Sequence, residues 1–332
     1  MKEVDIRPEA LLSRYLELSA RDATLCFSGV DREERSCVAC GSGKSHFEFE
    51  KNGFAYASCS RCGSLFQTPR PPLPAFESFY RDSMSGRYWA EHFFPAVAEA
   101  RREHIFRPRA ERLIEMCDSN STAVNTLIDV GAGFGILLDE WRIQRPETDF
   151  LAIEPSPSLA SECRSKGFNV VEDIVENVSG YRGFADLVVC FEVLEHVFEP
   201  VSFIKSLADL ARPGGHVFVS TLSVDGFDIQ TLWEMSNSIF PPHHINFMSI
   251  RGFQYLFERA GLEIVSISTP GVLDVDIVRN SYFSNPGLFA DNRFLRQLMA
   301  NENHAARFQD FLSSNCLSSH AWVFAKKHEK FL

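Results

Sequence analysis

The stretch LIDVGAGFG, residues 127–135, constrains this chain more than any other. A short apolar run holding one acid, Asp129, leads into three glycines at alternate positions, Gly131, Gly133 and Gly135. A strand that ends this way and opens a helix brings backbone N–H groups close to a ligand, with no Cβ in the way. The spacing is Gly-x-Gly-x-Gly. The dinucleotide fingerprint is Gly-x-Gly-x-x-Gly, and its third glycine serves a pyrophosphate and helix-packing geometry. The turn therefore points to a nucleoside-like ligand that need not carry a phosphate. The rival readings are a nicotinamide oxidoreductase and a purely structural strand-to-helix turn.

From residue 126 onward, strand and helix patterns alternate, which predicts a mainly parallel sheet. Strands are expected at TLIDV (126–130), DFLAIEP (149–155), NVVED (169–173), ADLVVCF (185–191), HVFVSTL (216–222), EIVSIS (263–268) and AWVFAKK (321–327). The helices between them are amphipathic. One is VSFIKSLADLA (201–211), closed by RPGG; another is IRGFQYLFERA (250–260), with Ser249 as N-cap and Gly261 just past its end. Residues 269–318 form a long insertion before the last strand. Upstream, residues 1–75 carry a leading amphipathic helix and a paired-cysteine segment, and TPRPPLPAF (68–76) reads as a stiff linker. Residues 76–125 read as a helical linker or cap, and 126–332 as the main domain. There are no repeats and no low-complexity tracts.

Glu154 follows Gly135 by 19 residues, at the end of the second strand. A carboxylate there accepts hydrogen bonds from both hydroxyls of a ribose. Asp129 is costly to bury, and makes sense if it orients the turn or meets a cationic ligand.

With these residues in view, the chain resembles the class I S-adenosylmethionine-dependent methyltransferases. LIDVGAGFG is similar to their first motif and LAIEPSPSLA (151–160) to their acidic ribose-binding strand. FADLVVCFEVLEHVFEP (184–200) and LARPGGHVFVSTL (210–222) resemble their fourth and fifth strands, in the family's order, over roughly residues 126–265. The resemblance implies an α/β, Rossmann-like fold with a seven-stranded mainly parallel sheet, and S-adenosylmethionine as cofactor. It implies that Asp129, Gly131, Gly133 and Gly135 approach the cofactor's amino-acid portion, with Glu154 and Pro155 at the ribose. Asp173 or Ile174 would lie by the adenine, and Phe191 and Glu192 where the methionine portion passes.

Cys37 and Cys40, then Cys59 and Cys62, give C-x2-C, eighteen residues, C-x2-C. This is the four-thiolate pattern of a structural zinc ribbon, a closed tetrahedron for Zn2+ with no open position. HFEFEKNGFAYAS between the pairs reads as a hairpin around Asn52-Gly53. His46 is a further candidate ligand, and fortuitous or redox C-x2-C pairs are the alternative. Cys26, Cys117, Cys163, Cys190 and Cys316 read as buried or free thiols. A ribbon ahead of such a domain resembles two settings, the sugar C-methyltransferases and surface-polysaccharide enzymes, and some ribosomal-RNA methyltransferases. Residues 31–75 hold six Lys/Arg against five Asp/Glu, so the segment is no basic clamp and the small-molecule setting is favoured.

Methyl transfer needs a nucleophile held in line and relieved of its proton. Imidazole suits that at neutral pH. LEHVFEP places Glu195 and His196 past the fourth strand, where His196 also reads as a buttress, and FPPHHINFMS (240–249) supplies His243 and His244. That second stretch resembles the Tyr-His-Glu-His segment of the sugar C-methyltransferases, with His244 matching the last histidine. Pro241, Pro242 and His243 replace the other three, which counts against C-methylation of a keto-sugar. Arg101, Arg102, Arg107, Arg109 and Arg112 could meet a sugar-nucleotide diphosphate, or pair with Glu99, Glu103 and Glu111 on one helix face. Tyr80, Tyr88 and Trp89 could close over the cofactor or simply pack.

The net charge of −11 argues against a broad nucleic-acid footprint. No run of 18 apolar residues suggests a membrane span, and the N-terminus lacks the apolar region of a signal peptide, so a cytoplasmic address is expected. Thirty phenylalanines predict an aromatic core or substrate pocket. The reading is a methyltransferase acting on a small-molecule hydroxyl, a sugar or sugar nucleotide by preference. C-methylation, RNA methylation and a non-catalytic cofactor-binding protein are the alternatives. Oligomeric state is not legible.

Overall fold

The computed structural model describes residues 2–329. The strands described are β1 (Ser45–Lys51), β2 (Phe54–Cys59), β3 (Leu65–Gln67), β4 (Thr126–Val130), β5 (Asp149–Ile153), β6 (Asn169–Val171), β7 (Ala185–Phe191), β8 (Ala211–Leu222), β9 (Asn246–Phe247), β10 (Leu262–Ser268) and β11 (His320–Lys327). The chain divides into two compact units, one built on a seven-stranded sheet and one on a four-stranded sheet.

The seven-stranded unit comprises Ala98–Thr221, Phe253–Ser266 and the chain from Trp322. Its strand order is β10-β11-β8-β7-β4-β5-β6, and β4 pairs in parallel with both β5 and β7. The chain enters at β4, grows outward through β5 and β6, then returns to β7 and β8 on the other flank. That reversal puts a topological switch point at the carboxyl end of β4, where open α/β sheets bind ligands. Leu127, Ile128 and Val130 are buried on both faces of the sheet, as a central parallel strand requires. The helix Ile136–Gln144 packs Leu137, Leu138 and Trp141 into the same core. The Trp141 indole N–H donates to Thr148 Oγ1 at 3.3 Å, so its one polar atom is satisfied.

The expected seven-stranded α/β sheet is thus observed, with shifts at element ends. β5 stops at Ile153, so Glu154 and Pro155 lie just beyond it, and β6 stops at Val171. RPGG (212–215) is not a turn before the strand. It lies within β8, and the ladder jumps from Ala185–Ala211 to Leu187–His216. A proline and two glycines fit a bulge, where ladder bonds are not needed.

The four-stranded unit comprises the chain through Val97, Leu222–Gly252 and Ile267–Ala321. β1 and β2 form the expected hairpin, with Asn52 and Gly53 both at positive φ, as a two-residue type I′ turn demands. The sheet runs β1-β2-β3-β9, antiparallel throughout. Its fourth strand comes from Asn246–Phe247, far along the chain, which local pattern gives no hint of. The insertion 269–318 is helical, with helices at Asp274–Ser284, Arg293–Met299 and Glu302–Ser314. The N-terminal helix Glu9–Phe27 buries Tyr15, Leu18, Ser19, Asp22 and Ala23, the i, i+3, i+4, i+7 stripe of an amphipathic helix with an acid in it. Among the described residues no helix is long and apolar enough to cross a membrane.

Candidate active site

At the tip of β4 the three glycines all sit at positive φ, +75°, +55° and +66°. A Cβ on Gly131 would come within 2.6 Å of Val193 Cγ2, so only glycine fits. On Gly133 it would meet nothing within 4 Å, so that side of the turn faces open space. Glu154 is buried and reaches back to the turn. Its Oε2 accepts the Gly133 N–H at 2.8 Å, and its Oε1 accepts the Ser156 N–H at 2.9 Å. Each carboxylate oxygen keeps a second acceptor site. Burial raises the Glu154 pKa, and those two N–H donors oppose the rise. Asp129, also buried, is pushed up to about 8 by burial and then by the Glu154 charge. At the β6 end, Asp173 Oδ1 accepts from the Ile174 N–H and from Asn177 Nδ2, both at 2.8 Å, and Ile174 is exposed.

The tip of β7 carries a second cluster. Phe191 packs against Phe218 and Trp322, and the Arg109 guanidinium lies 5.3 Å from its ring centroid. Glu192 holds φ at +55°, unusual for a residue with a side chain. Its carboxylate accepts from Arg109 at 3.1 Å and from Ser220 Oγ, and its backbone N–H donates to Ser220 O. Glu195 is buried and accepts from Thr221 Oγ1 at 2.7 Å; burial, then the Glu192 charge, raises its pKa. Glu195 and His196 present a carboxylate oxygen and a ring nitrogen within 4.8 Å of each other, a pair able to share a cation or a proton. Glu195 is a site residue that sequence reasoning left without a role, although its signal, an acid beside a histidine at a strand tip, was present.

The arginines are engaged within the protein. Arg102 bonds Glu140 and Asp139, Arg107 bonds Glu140, and Arg109 bonds Glu192. Arg112 sits over Trp322. Of the same-face partners expected for them, Glu99 pairs with Arg102 at 3.8 Å, and the Glu103 and Glu111 charges act on Arg107. Glu140 is nearly fully buried and takes two arginines, which explains the cluster without a diphosphate. Tyr88 and Trp89 pack in a cluster with Tyr15 and Phe93, Trp89 stacking on Phe93 at 4.4 Å.

In the four-stranded unit, Cys37, Cys40, Cys59 and Cys62 converge with all four Sγ atoms within 4.8 Å of one another. Cys37–Cys62 and Cys40–Cys59 are each 3.5 Å apart. A tetrahedron of 2.3 Å Zn–S bonds needs sulfur separations of about 3.8 Å, so the donor set fits. The two knuckles match: Gly41 N–H donates to Cys37 O, Gly63 N–H to Cys59 O, and both glycines sit at positive φ. His46 does not join them; it is exposed and pairs with Glu48 at 2.9 Å. The other five cysteines form no disulfide.

The histidine loop lies in the same unit. His244 Nδ1 is 2.6 Å from Ser238 O. A carbonyl only accepts, so Nδ1 carries the proton and Nε2 of the neutral ring carries the lone pair. His243 is buried beside Phe79, Phe240 and Tyr15. Its Nε2 is 3.0 Å from Ser85 Oγ, whose hydroxyl donates to Asp22 Oδ2, so the imidazole N–H is the donor to Ser85.

A mostly parallel sheet with a glycine turn and a paired acid at its switch point defines a Rossmann-like α/β fold. The family described as "Methyltransferase domain" matches residues 97–267, more than half of the chain, and the chain belongs to it as a class I S-adenosylmethionine-dependent methyltransferase domain. The ubiquinone biosynthesis O-methyltransferase of Acinetobacter baumannii (strain AYE) is 29% identical over 153 residues, covering 43% of this chain and 60% of that protein. The Proteus mirabilis (strain HI4320) protein of the same name is 36% identical over 102 residues, 29% of this chain and 42% of that one. The chain thus spans less than two thirds of these relatives' length. The plantazolicin methyltransferase BpumL, solved in complex with a pentazolic desmethylPZN analog and SAH, shares the fold at a TM-score of 0.50 and 16% identity, over 76% of this chain and 94% of that one.

Proposed function

We propose that the protein transfers the methyl group of S-adenosylmethionine to a hydroxyl of a small molecule, with a sugar or sugar nucleotide as the preferred acceptor class. The observation that carries the cofactor reading is the Glu154 carboxylate. It is anchored by two backbone N–H groups beside the open face of Gly133, and it has an acceptor site left on each oxygen for the ribose diol. The bound sulfonium supplies an already activated methyl group. The chain's own residues hold the cofactor, hold the acceptor and manage one proton. The names of the O-methyltransferase relatives support a hydroxyl acceptor. The sugar preference rests on the resemblance of the cysteine segment and histidine loop to sugar enzymes. The four cysteines, in this reading, hold a structural Zn2+.

His244 is the proposed base. The Nδ1–Ser238 bond supports this, because it fixes the neutral tautomer whose basic nitrogen is Nε2. His243, committed to Ser85, serves as a brace, and His196 with Glu195 as a buttress or proton partner. Replacing His244 with Ala is expected to slow methyl transfer about 100- to 10,000-fold with cofactor affinity unchanged. Formation of S-adenosylhomocysteine over a panel of sugar nucleotides and catechols measures it. Wild-type turnover in the variant removes His244 from the role.

Asp129 gives a pH signature. Burial keeps its carboxyl protonated below about pH 8, and a bound cation favours the ionised form. Binding therefore releases a proton, and affinity is expected to rise with pH, by roughly tenfold per unit at the steepest, then level above about pH 8. Calorimetry in buffers of different ionisation enthalpy reads the released proton. Asp129→Asn is expected to flatten the profile, and a profile that keeps its slope in that variant would assign the proton elsewhere.

A further inference from the structure

Three hydroxyls from three separate elements grip the backbone of the histidine loop. Ser19 Oγ, on the helix Glu9–Phe27, donates to Pro241 O at 3.4 Å. Tyr80 Oη, on the helix Leu73–Asp82, donates to His243 O at 3.2 Å. Tyr56 Oη, on β2, donates to His244 O at 2.6 Å and accepts from Gln67 Nε2 at 3.0 Å. All lie in the four-stranded unit.

The cysteine-bearing segment continues this grip residue by residue. Gln67 N–H donates to Ile245 O, and β3 pairs with β9 through Phe66–Asn246 and Leu65–Phe247. Arg70 donates to the Asn246 side chain at 3.0 Å. Ser249 N–H donates to Ser64 Oγ, and Ser249 Oγ donates to Cys62 O. Every step from the second cysteine knuckle to His244 is a hydrogen bond or a strand pair. Such a frame is what fixes the ring of a proton acceptor to within the tolerance that catalysis needs.

We propose that Tyr56 is a positioning residue for His244, and that the cysteine segment serves as the mount of the histidine loop rather than as a grip for substrate. The inference rests on the reading of His244 as base. Tyr56 is fully buried and stacks on Phe49 at 5.3 Å. Its ring therefore stays packed when the hydroxyl is removed, and what is lost is the bond to His244 O together with the one accepted from Gln67 Nε2. With the first of these gone the His244 carbonyl has lost a buried donor, and the backbone that carries the ring can turn. The Nδ1–Ser238 bond then no longer selects one tautomer alone.

Imidazole spectroscopy of the 15N-histidine-labelled full chain tests this without an acceptor substrate. His244 is assigned by the signal that disappears in His244→Gln. The unaltered chain is expected to show His244 protonated at Nδ1 alone above its titration. In Tyr56→Phe the excess of that tautomer is expected to fall roughly fivefold or more, the effect of one buried hydrogen bond, while the affinity for S-adenosylhomocysteine stays the same. An unchanged tautomer ratio in a folded Tyr56→Phe protein overturns the inference. Should that variant not fold, Gln67→Met, which removes only the donor to Tyr56 Oη, is expected to move the same signal less far, and no movement there overturns the inference equally. Retained turnover in His244→Gln would defeat the base reading alone and leave the spectral result standing.

Discussion

Glu154→Ala is expected to weaken S-adenosylmethionine binding about 100- to 1,000-fold. The carboxylate makes two kinds of contribution. It ties Gly133 and Ser156 by their N–H groups, so the turn is held in shape before any ligand arrives. It then offers its remaining acceptor sites to a vicinal diol. A hydrogen bond to a charged group contributes about 1.5–3 kcal/mol, so loss of two diol bonds corresponds to roughly two to four powers of ten in affinity. The low end is the expectation, because water replaces part of what is lost. Glu154→Gln keeps one acceptor and should fall between the two. Titration calorimetry reads both variants, and thermal melting shows that the seven-stranded core remains. Its stability comes from residues such as Trp141, Leu138 and Leu113, buried in the core of that unit.

On the proposed reading of the cysteine cluster as a structural zinc site, treatment with a strong chelator is expected to cause the largest single loss of stability. Four buried sulfurs lie at near-tetrahedral spacing, and a divalent cation neutralises the charge of their thiolates. The free energy of zinc binding at such sites is about 10–16 kcal/mol, and in small units it is folding energy. A strong chelator should release one zinc per chain, expose four thiols to alkylation, and lower the melting temperature of the four-stranded unit. Cys62→Ala should give the same loss of zinc and stability without a chelator, with three cluster thiols left to alkylate. Because the glycine turn belongs to a unit with its own core, cofactor affinity should change by less than about tenfold. A purified chain that carries no zinc, with the four thiols unreactive, would count against the metal reading.

What could be read from the sequence was local. The glycine turn, Glu154, both cysteine pairs and the Asn52-Gly53 hairpin announce themselves within a few residues, because their geometry demands particular residue types. The parallel strands were legible as apolar runs between amphipathic helices, and only their ends moved. Ser249 caps its helix as expected, its Oγ accepting the Gly252 N–H at 2.8 Å. RPGG was misread because proline and glycine mark bulges as well as turns, and only the ladder to β7 distinguishes them.

The rest depended on pairs far apart in the chain. The arginines of residues 101–112 offered either a diphosphate ligand or same-face pairing with Glu99, Glu103 and Glu111, and Glu140 and Glu192, which take three of those side chains, lie on other elements. Asp22 left one faint signal, an acid on the buried stripe of a helix, but its partners Ser85 and His243 could not be inferred from that. Tyr56 looked like one aromatic of a hairpin. Its hydroxyl meets a carbonyl 188 residues away, and no period or motif encodes that.

A crystal structure of the full chain with S-adenosylhomocysteine tests the central claim most directly. The expected result is one ligand at the carboxyl end of β4, its two ribose hydroxyls within hydrogen-bond distance of Glu154 and its amino-acid portion against Gly131 and Gly133. A turn that stays vacant at saturating ligand, or density for a pyrophosphate there when nicotinamide dinucleotide is supplied instead, would contradict it.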